Sequence, residues 1–90
     1  MKRKGFNVTK YYRIYPGQKI NTISGYIEII AFNDGGLVEV NMWEVNDEEV
    51  YECVMKHEYI SKSTIERYIY EYTGVWYRVV QEWFIWFVWN

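Results

Sequence analysis

The fold class of this chain is decided by the stretch Val75-Trp76-Tyr77-Arg78-Val79-Val80-Gln81-Glu82-Trp83-Phe84-Ile85-Trp86-Phe87-Val88-Trp89. β-Branched and aromatic side chains fill most of it, and such residues fit a pleated strand better than a helix. A straight strand of this length would reach about 50 Å, whereas a compact domain of this size is about 30 Å across. We therefore predict a long C-terminal strand over 75–89 that bends at the polar pair Gln81-Glu82.

Composition extends this β-rich prediction to the whole chain. Aromatic residues make up 21% of the sequence, while Leu37 is the only leucine and Ala31 the only alanine, so strong helix formers are scarce. A chain of 90 residues is long enough for one domain with a modest core. We predict a single domain over 1–90, with residues 1–5 frayed. Its fold class is α+β and β-rich, with an antiparallel sheet of about five strands, three or four of them meandering, and one helix.

Turn residues divide the first half of the chain into strands. Apolar and polar residues alternate over 6–15 and over 26–32, which predicts two half-buried strands. In the second strand, Ile27, Ile29 and Ala31 are expected on one face and Phe32 on the other. Pro16-Gly17 is typical of a turn that ends the first strand. Asn33-Asp34-Gly35-Gly36 predicts a tight hairpin connection from 26–32 to an antiparallel strand over 37–45. Residues 18–25 carry a weaker signal, for a short extended piece around Ile20 and Ile23.

The segment 47–59 fits two patterns. As a helix it would place Val50, Cys53, Val54 and His57 in one stripe, and as a strand it would place Tyr51, Cys53, Met55, His57 and Tyr59 on one face. The strand pattern is the cleaner of the two, and valine, tyrosine and cysteine are weak helix formers. We therefore predict a strand.

One helix is predicted over 64–73. Ser63-Thr64-Ile65-Glu66 matches a capping box. In this motif the serine hydroxyl accepts from the backbone N–H three residues later, and the glutamate side chain accepts from the backbone N–H of the serine. Ile65, Tyr68, Ile69 and Tyr72 follow at helical spacing, and Gly74 is placed to end the helix.

Catalytic and metal-binding patterns are lacking in the sequence. Cys53 and His57 are the only cysteine and the only histidine, which excludes an internal disulfide framework and a zinc site built from these residue types alone. On a strand, four residues span about 13 Å, so the two side chains would not form a thiolate–imidazole pair. Cys53 is instead predicted to be a buried small hydrophobe. We expect no enzymatic activity, no cofactor and no metal.

Charge is distributed unevenly along the chain. The net charge is only −2, yet six basic residues precede the first acid, Glu28, and the rest of the chain carries twelve acids against four bases. Nothing at the N-terminus has the apolar run of a signal peptide, and the apolar C-terminal run is interrupted by charges. We expect a cytoplasmic protein that does not bind a membrane.

The main candidate site is a set of carboxylates in the middle of the chain: Glu44, Asp47, Glu48, Glu49 and Glu52. Carboxylates on a small rigid scaffold can imitate phosphates and occupy a basic cleft of a nucleic-acid enzyme. These acids predict a small non-enzymatic module that binds a protein with a basic surface. Small size and acidity are also typical of viral or mobile-element accessory proteins that inhibit host enzymes. A simpler interpretation is a solvated acidic turn.

Two alternatives remain open. A nucleic-acid-binding function would use the basic N-terminal residues together with tyrosines that stack on bases: Lys2, Arg3, Lys4, Lys10, Tyr11, Tyr12 and Arg13. The other alternative is a homo-oligomeric structural or engineered protein without a ligand.

Self-association is expected through the C-terminal segment. Apolar side chains occupy consecutive positions, so both faces of this strand would be apolar. The residues expected to form the interface are Trp83, Ile85, Trp86, Phe87 and Trp89. An uncovered apolar strand favours pairing with another chain, so we predict a homodimer or a comparable homo-oligomer. The alternative is a monomer whose helix covers one face of this strand.

Overall fold

A computed structural model of the chain describes residues 9–82. Within this range the elements follow one another as β1 (Tyr11–Ile14), β2 (Lys19–Asn21), β3 (Gly25–Phe32), β4 (Leu37–Val45), β5 (Tyr51–Ser61), α1 (Lys62–Thr73) and β6 (Arg78–Gln81). The predicted class is confirmed: the domain is small, α+β and rich in antiparallel strands. No helix in this part of the chain is long and apolar enough to cross a membrane.

Four strands form an antiparallel sheet in the order β2-β3-β4-β5. The predicted β3–β4 hairpin is present, and its turn is held by Asn33, whose Oδ1 accepts from the backbone N–H groups of Gly35 and Leu37 at 3.0 Å each. Gly36 has a positive φ of 83°, a conformation that glycine adopts without steric cost. The asparagine and glycine residues of this segment therefore form the turn that connects β3 and β4.

A bulge in β3 changes which side chains face the core. Ile29 pairs with Val40 but Ala31 pairs with Glu39, so one extra residue lies between them. The alternation of the sequence placed Ala31 with Ile27 and Ile29, and Phe32 on the opposite face. Beyond the bulge this assignment was wrong, because Phe32 packs against the core.

The segment after the β4–β5 turn is a strand, as predicted. β5 spans eleven residues and lies at the edge of the sheet. Its register against β4 shifts twice, between the partners of Val40 and Met42 and between those of Met42 and Trp43. Most of its side chains are exposed, including Cys53, which corrects the prediction that this cysteine is buried. Alternation shows which residues share a face of a strand, but it does not show whether another element covers that face.

The helix begins two residues before its predicted start. Ser61 is the capping residue, and its hydroxyl accepts from the Thr64 N–H at 3.2 Å. The predicted capping box at Ser63 is therefore wrong, since Glu66 accepts from the Val79 N–H at 2.8 Å instead of returning to the helix start. Gly74 ends the helix as predicted, in a left-handed conformation with φ of 79°.

The last described strand pairs with the first. β1 and β6 form a separate two-stranded parallel sheet, with Tyr11 opposite Arg78 and Ile14 opposite Gln81. β6 starts at Arg78, three residues later than the predicted strand. The part of the predicted strand beyond residue 82 lies outside the described residues. Residues 6–8 of the predicted first strand, and the segment 1–5 predicted to be frayed, also lie outside them. The parallel pairing was not anticipated from the sequence.

The core is built from the helix, the four-stranded sheet and the β1–β6 pair. Its members are apolar side chains that are almost fully buried: Ile14, Ile20, Ile27, Ile29, Val38, Val40, Met42, Ile65, Ile69 and Val79. Isoleucine and valine dominate because β-branched side chains pack well on a pleated surface. The helix contributes Ile65 and Ile69 as buried residues.

Candidate functional site

The β4–β5 turn is organised by one asparagine. The Asn46 N–H donates to the Val50 carbonyl at 2.9 Å, and its own carbonyl accepts from the Glu49 N–H at 2.9 Å. Its side-chain Oδ1 accepts from the backbone N–H groups of Glu48 and Val50 at 2.8 and 3.0 Å. Its Nδ2 donates to the Glu52 carboxylate at 2.8 Å. Asparagine suits this position because its side chain can replace missing backbone partners in a turn.

Glu49 adopts a backbone conformation that is unfavourable for its residue type. Its φ is 63°, in the left-handed region that glycine and asparagine prefer. Hairpin turns of this kind commonly place glycine at such a position. A glutamate there keeps a negative charge at the tip of the hairpin despite the backbone cost.

The turn brings the predicted acidic residues together. Glu44 and Glu52 lie directly opposite each other in the β4–β5 register, and the acids between them are exposed. We call this group the acidic tip: Glu44, Asp47, Glu48, Glu49 and Glu52. Glu44 accepts from the Ser24 hydroxyl at 3.3 Å. Between residues 9 and 82, no ion pair reaches any carboxylate of the acidic tip.

A cavity of about 420 Å³ lies beside the acidic tip. It opens between the β2–β3 turn at Ile23 and Ser24, the end of β4 at Val45, the start of β5 at Tyr51 and the last turn of the helix at Tyr72. The sequence did not reveal this cavity, because these residues come from separate segments. The exposed Ile23 was the only available signal, and we had expected it in a short extended piece.

The outer face of the sheet carries aromatic rings next to this cavity. The Tyr26 ring stacks on Trp43, with centroids 6.1 Å apart, and meets the Tyr51 ring edge-on at 5.3 Å. The Trp43 Nε1–H donates to the Glu28 carboxylate at 3.4 Å, and the Lys19 ammonium lies over the Tyr26 ring. These contacts hold Tyr51 in a defined orientation at the cavity wall.

Cys53 and His57 take part in different contacts, as expected for residues on a strand. The Cys53 thiol donates to the Met55 carbonyl at 3.1 Å. The His57 Nδ1 lies 2.7 Å from a Glu39 carboxylate oxygen, and the His57 backbone N–H donates to the Asn41 Oδ1 at 2.8 Å. In the part of the chain that the structure describes, no three His, Cys, Asp or Glu side chains are grouped to hold a metal ion.

The structure describes four residues of the alternative basic site, which are Lys10, Tyr11, Tyr12 and Arg13. Lys10, Tyr11 and Arg13 are exposed, and Arg13 pairs with Glu82 at 3.8 Å. Tyr12 packs against Tyr77, with ring centroids 5.5 Å apart. Burial, followed by the nearby Tyr15 and Tyr77, raises the pKa of Tyr12 above its usual value. Lys2, Arg3 and Lys4 lie outside the described residues.

The residues predicted for self-association, Trp83, Ile85, Trp86, Phe87 and Trp89, also lie outside the described residues. The chain matches no protein-family model, no curated protein and no solved structure. The candidate function therefore depends on the geometry of the acidic tip and the cavity beside it.

Proposed function

We propose that this protein is a non-enzymatic binding module whose acidic tip docks on the basic surface of a partner protein. The observation that carries the proposal is the turn itself. A single asparagine side chain fixes its backbone, and the left-handed position within it holds Glu49 where glycine would be less strained. Residues kept in unfavourable backbone conformations are concentrated at functional sites.

The charges of the tip are suited to a partner that normally binds phosphates. Exposed carboxylates spaced along a rigid hairpin can occupy a basic cleft in place of a nucleic-acid backbone. We therefore favour a nucleic-acid enzyme as the partner, and an inhibitory accessory protein of a virus or mobile element as the biological setting. Such a protein needs no catalytic group of its own.

The proposed interaction is electrostatic, so it should depend on salt. Exposed charges act over about 10 Å at 0.1 M ionic strength, and individual exposed pairs contribute about 0.2–1 kcal/mol. Several carboxylates acting together therefore raise the association rate and affinity at low salt more than at high salt.

Charge reversal tests this proposal. We would measure fluorescence anisotropy of a labelled arginine- and lysine-rich peptide at low and high salt. The variant Asp47→Lys, Glu48→Lys, Glu49→Lys should bind at least about tenfold more weakly at low salt, which corresponds to about 1.4 kcal/mol.

A matched control separates the tip from net charge. Asp34→Lys, Glu58→Lys and Glu71→Lys alter three exposed acids elsewhere and change the net charge equally. This control should retain most of the affinity. Equal loss in both triple variants, or no loss in either, would exclude the acidic tip as the binding surface.

A further inference from the structure

The parallel sheet of β1 and β6 has one buried face and one exposed face. Ile14 and Val79 lie on the inner face and belong to the core. Successive side chains of a strand point to opposite faces, so the exposed residues that alternate with them share the outer face. We call these residues the outer patch: Tyr11, Arg13, Arg78 and Val80.

The register of the two strands brings together two arginines that are far apart in the sequence. Tyr11 lies opposite Arg78, and Arg13 lies opposite Val80. Neighbouring strands are about 4.8 Å apart and rise about 3.3 Å per residue, so the Cα atoms of two diagonal residues lie about 8 Å apart. The Arg13 and Arg78 side chains can therefore reach the same group, or neighbouring groups, of one ligand.

Backbone hydrogen bonds hold β6 on both of its edges. The Arg78 N–H donates to the Lys10 carbonyl at 2.8 Å, on the edge that faces β1. On the other edge, the Val79 N–H donates to the Glu66 carboxylate of the helix at 2.8 Å. The outer patch is therefore presented on a backbone whose position is fixed by the rest of the domain.

The outer patch carries positive charge that is only weakly compensated. Arg78 forms no ion pair with another residue between 9 and 82. The side chain of Arg13 is 72% exposed, and its Nε lies 3.8 Å from a Glu82 carboxylate oxygen. An exposed ion pair contributes little, so an anionic ligand can replace Glu82 as the partner of Arg13. The net charge of the chain is −2, but carboxylates more than about 10 Å away are largely screened at 0.1 M salt.

We propose that the outer patch binds single-stranded nucleic acid, with Arg13 and Arg78 on the phosphates and Tyr11 stacked on a base. The planar guanidinium group matches the geometry of a phosphate and forms two parallel hydrogen bonds with it. Tyr11 is 64% exposed, which leaves its ring open to a base. A duplex keeps its bases paired and stacked on one another, so it would offer this ring no base.

This activity uses a different surface from the acidic tip and goes beyond the proposed function. It also changes the set of residues that the sequence suggested for nucleic-acid binding. Arg78 joins the site because β6 pairs with β1. Tyr12 leaves it, since its ring packs against Tyr77 and its side chain lies on the inner face. The exposed face of two strands does not enclose a ligand, so its occupant is a strand that continues past the patch and not a free nucleotide.

Fluorescence anisotropy of a labelled oligothymidylate of about 12 nucleotides tests the proposal, since such a strand leaves its bases unpaired. At about 50 mM salt the protein should bind this strand, and the affinity should fall as the salt concentration rises. The single strand should bind at least about fivefold more tightly than a duplex of the same length, because only the strand allows stacking on Tyr11. Thymidine monophosphate should compete poorly, since it offers a single phosphate.

Two matched double variants test the phosphate contacts. Arg13→Gln with Arg78→Gln should reduce the slope of log affinity against log salt by about 1.4, the value for two lost phosphate contacts to a single strand. Lys56→Gln with Arg67→Gln removes two exposed basic residues elsewhere and changes the net charge equally. This control should keep the native slope. All four substitutions are at exposed positions, and circular dichroism would show that both proteins are folded.

The aromatic contact is tested separately from the charges. Tyr11→Ala should weaken binding of the single strand by about fivefold or more and leave the salt slope unchanged, because it removes stacking but no charge. Tyr11→Phe keeps the ring and should keep the affinity. Tyr59→Ala is the matched control, since Tyr59 is 54% exposed on β5, and it should bind as the native protein does.

The proposal fails if the native protein does not bind the single strand at about 50 mM salt, or if the two double variants bind it equally. Equal or tighter binding of the duplex would exclude base stacking on Tyr11. Association of the protein with itself at low salt, abolished by the arginine substitutions and without binding of the strand, would make the outer patch a contact for the acidic tip of a second copy. Charge reversal of the acidic tip should not weaken binding of the strand, so this proposal and the proposed function can fail separately.

Discussion

At the scale of single residues, Glu49 combines an unfavourable backbone conformation with an exposed charge. Its φ of 63° is a conformation that costs a non-glycine residue about 1–2 kcal/mol. We predict that Glu49→Gly raises the free energy of unfolding by up to about 1 kcal/mol. Glycine relieves the backbone strain of the folded state, but it also increases the conformational entropy of the unfolded chain, which offsets part of this stabilisation. Urea denaturation followed by circular dichroism would measure the change.

The matched control for this prediction is Glu49→Ala. Alanine removes the charge but keeps the Cβ atom, so it should not stabilise the protein. Both variants should bind the basic peptide more weakly than the native protein. A stabilising effect of alanine equal to that of glycine would mean that charge repulsion, and not the backbone, is the source of the strain.

Tyr12 gives the fold a dependence on alkaline pH. Burial, with smaller effects from Tyr15 and Tyr77, raises the pKa of its phenol in the folded state. In the unfolded chain the phenol ionises at a pH of about 10, whereas the folded protein holds this proton to a higher pH. The unfolded state therefore binds fewer protons above that pH, and the free energy of unfolding should fall as the pH rises through the interval between the two pKa values.

Thermal unfolding midpoints between neutral pH and strongly alkaline pH would test this dependence. Tyr12→Phe should lose part of the decline above a pH of about 10, while Tyr11→Phe, at the exposed neighbouring position, should decline as the native protein does. An identical decline in Tyr12→Phe and in the native protein would contradict the assignment to Tyr12.

At the scale of elements, the question at the start of the helix is which of two serines, Ser61 or Ser63, is the capping residue. The sequence predicted Ser63 as the capping residue, but the structure places Ser61 there, with its hydroxyl accepting from the Thr64 N–H. Loss of a serine cap costs about 1 kcal/mol. We predict that Ser61→Ala lowers the free energy of unfolding by about this amount and that Ser63→Ala has a smaller effect, as measured by urea denaturation. The reverse order would restore the capping box that the sequence suggested.

Elements set by local chemistry were predictable, and those set by distant partners were not. The Asn33–Gly36 turn determined the β3–β4 hairpin, and strand-forming residues over 51–61 outweighed a weak helical stripe. The parallel pairing of β1 with β6 left no trace in the sequence, because alternation shows that a segment is a strand but not which strand lies beside it. The same limit hid the bulge at Ile30, which reversed the faces of the residues after it.

At the scale of the whole molecule, the same distinction applies to the candidate site. The acidic tip was predictable because its carboxylates lie within one short stretch that a hairpin turn holds together. The cavity was not, because Ile23, Val45, Tyr51 and Tyr72 converge only when the β2–β3 turn, the sheet and the helix are assembled.

Self-association remains a prediction from the sequence, in residues that lie outside those described. Trp83, Trp86 and Trp89 stand in a run of apolar residues. Burial of a large aromatic side chain contributes about 2 kcal/mol, so three of them would contribute about 6 kcal/mol before the costs of association. The main competing surface is β5, whose edge is interrupted by two register shifts and carries Lys56, features that discourage pairing between edges.

Light scattering at micromolar concentration should therefore give a mass of about twice the 11.1 kDa of the chain. Trp86→Lys should reduce the measured mass to that of one chain without loss of the β signal in circular dichroism, because a charge in an apolar interface is costly. Val54→Lys, at a half-exposed position of β5, is the matched control and should leave the mass unchanged. A native mass of 11.1 kDa that does not rise with concentration would refute the dimer. Dissociation by Val54→Lys but not by Trp86→Lys would move the interface to the sheet edge.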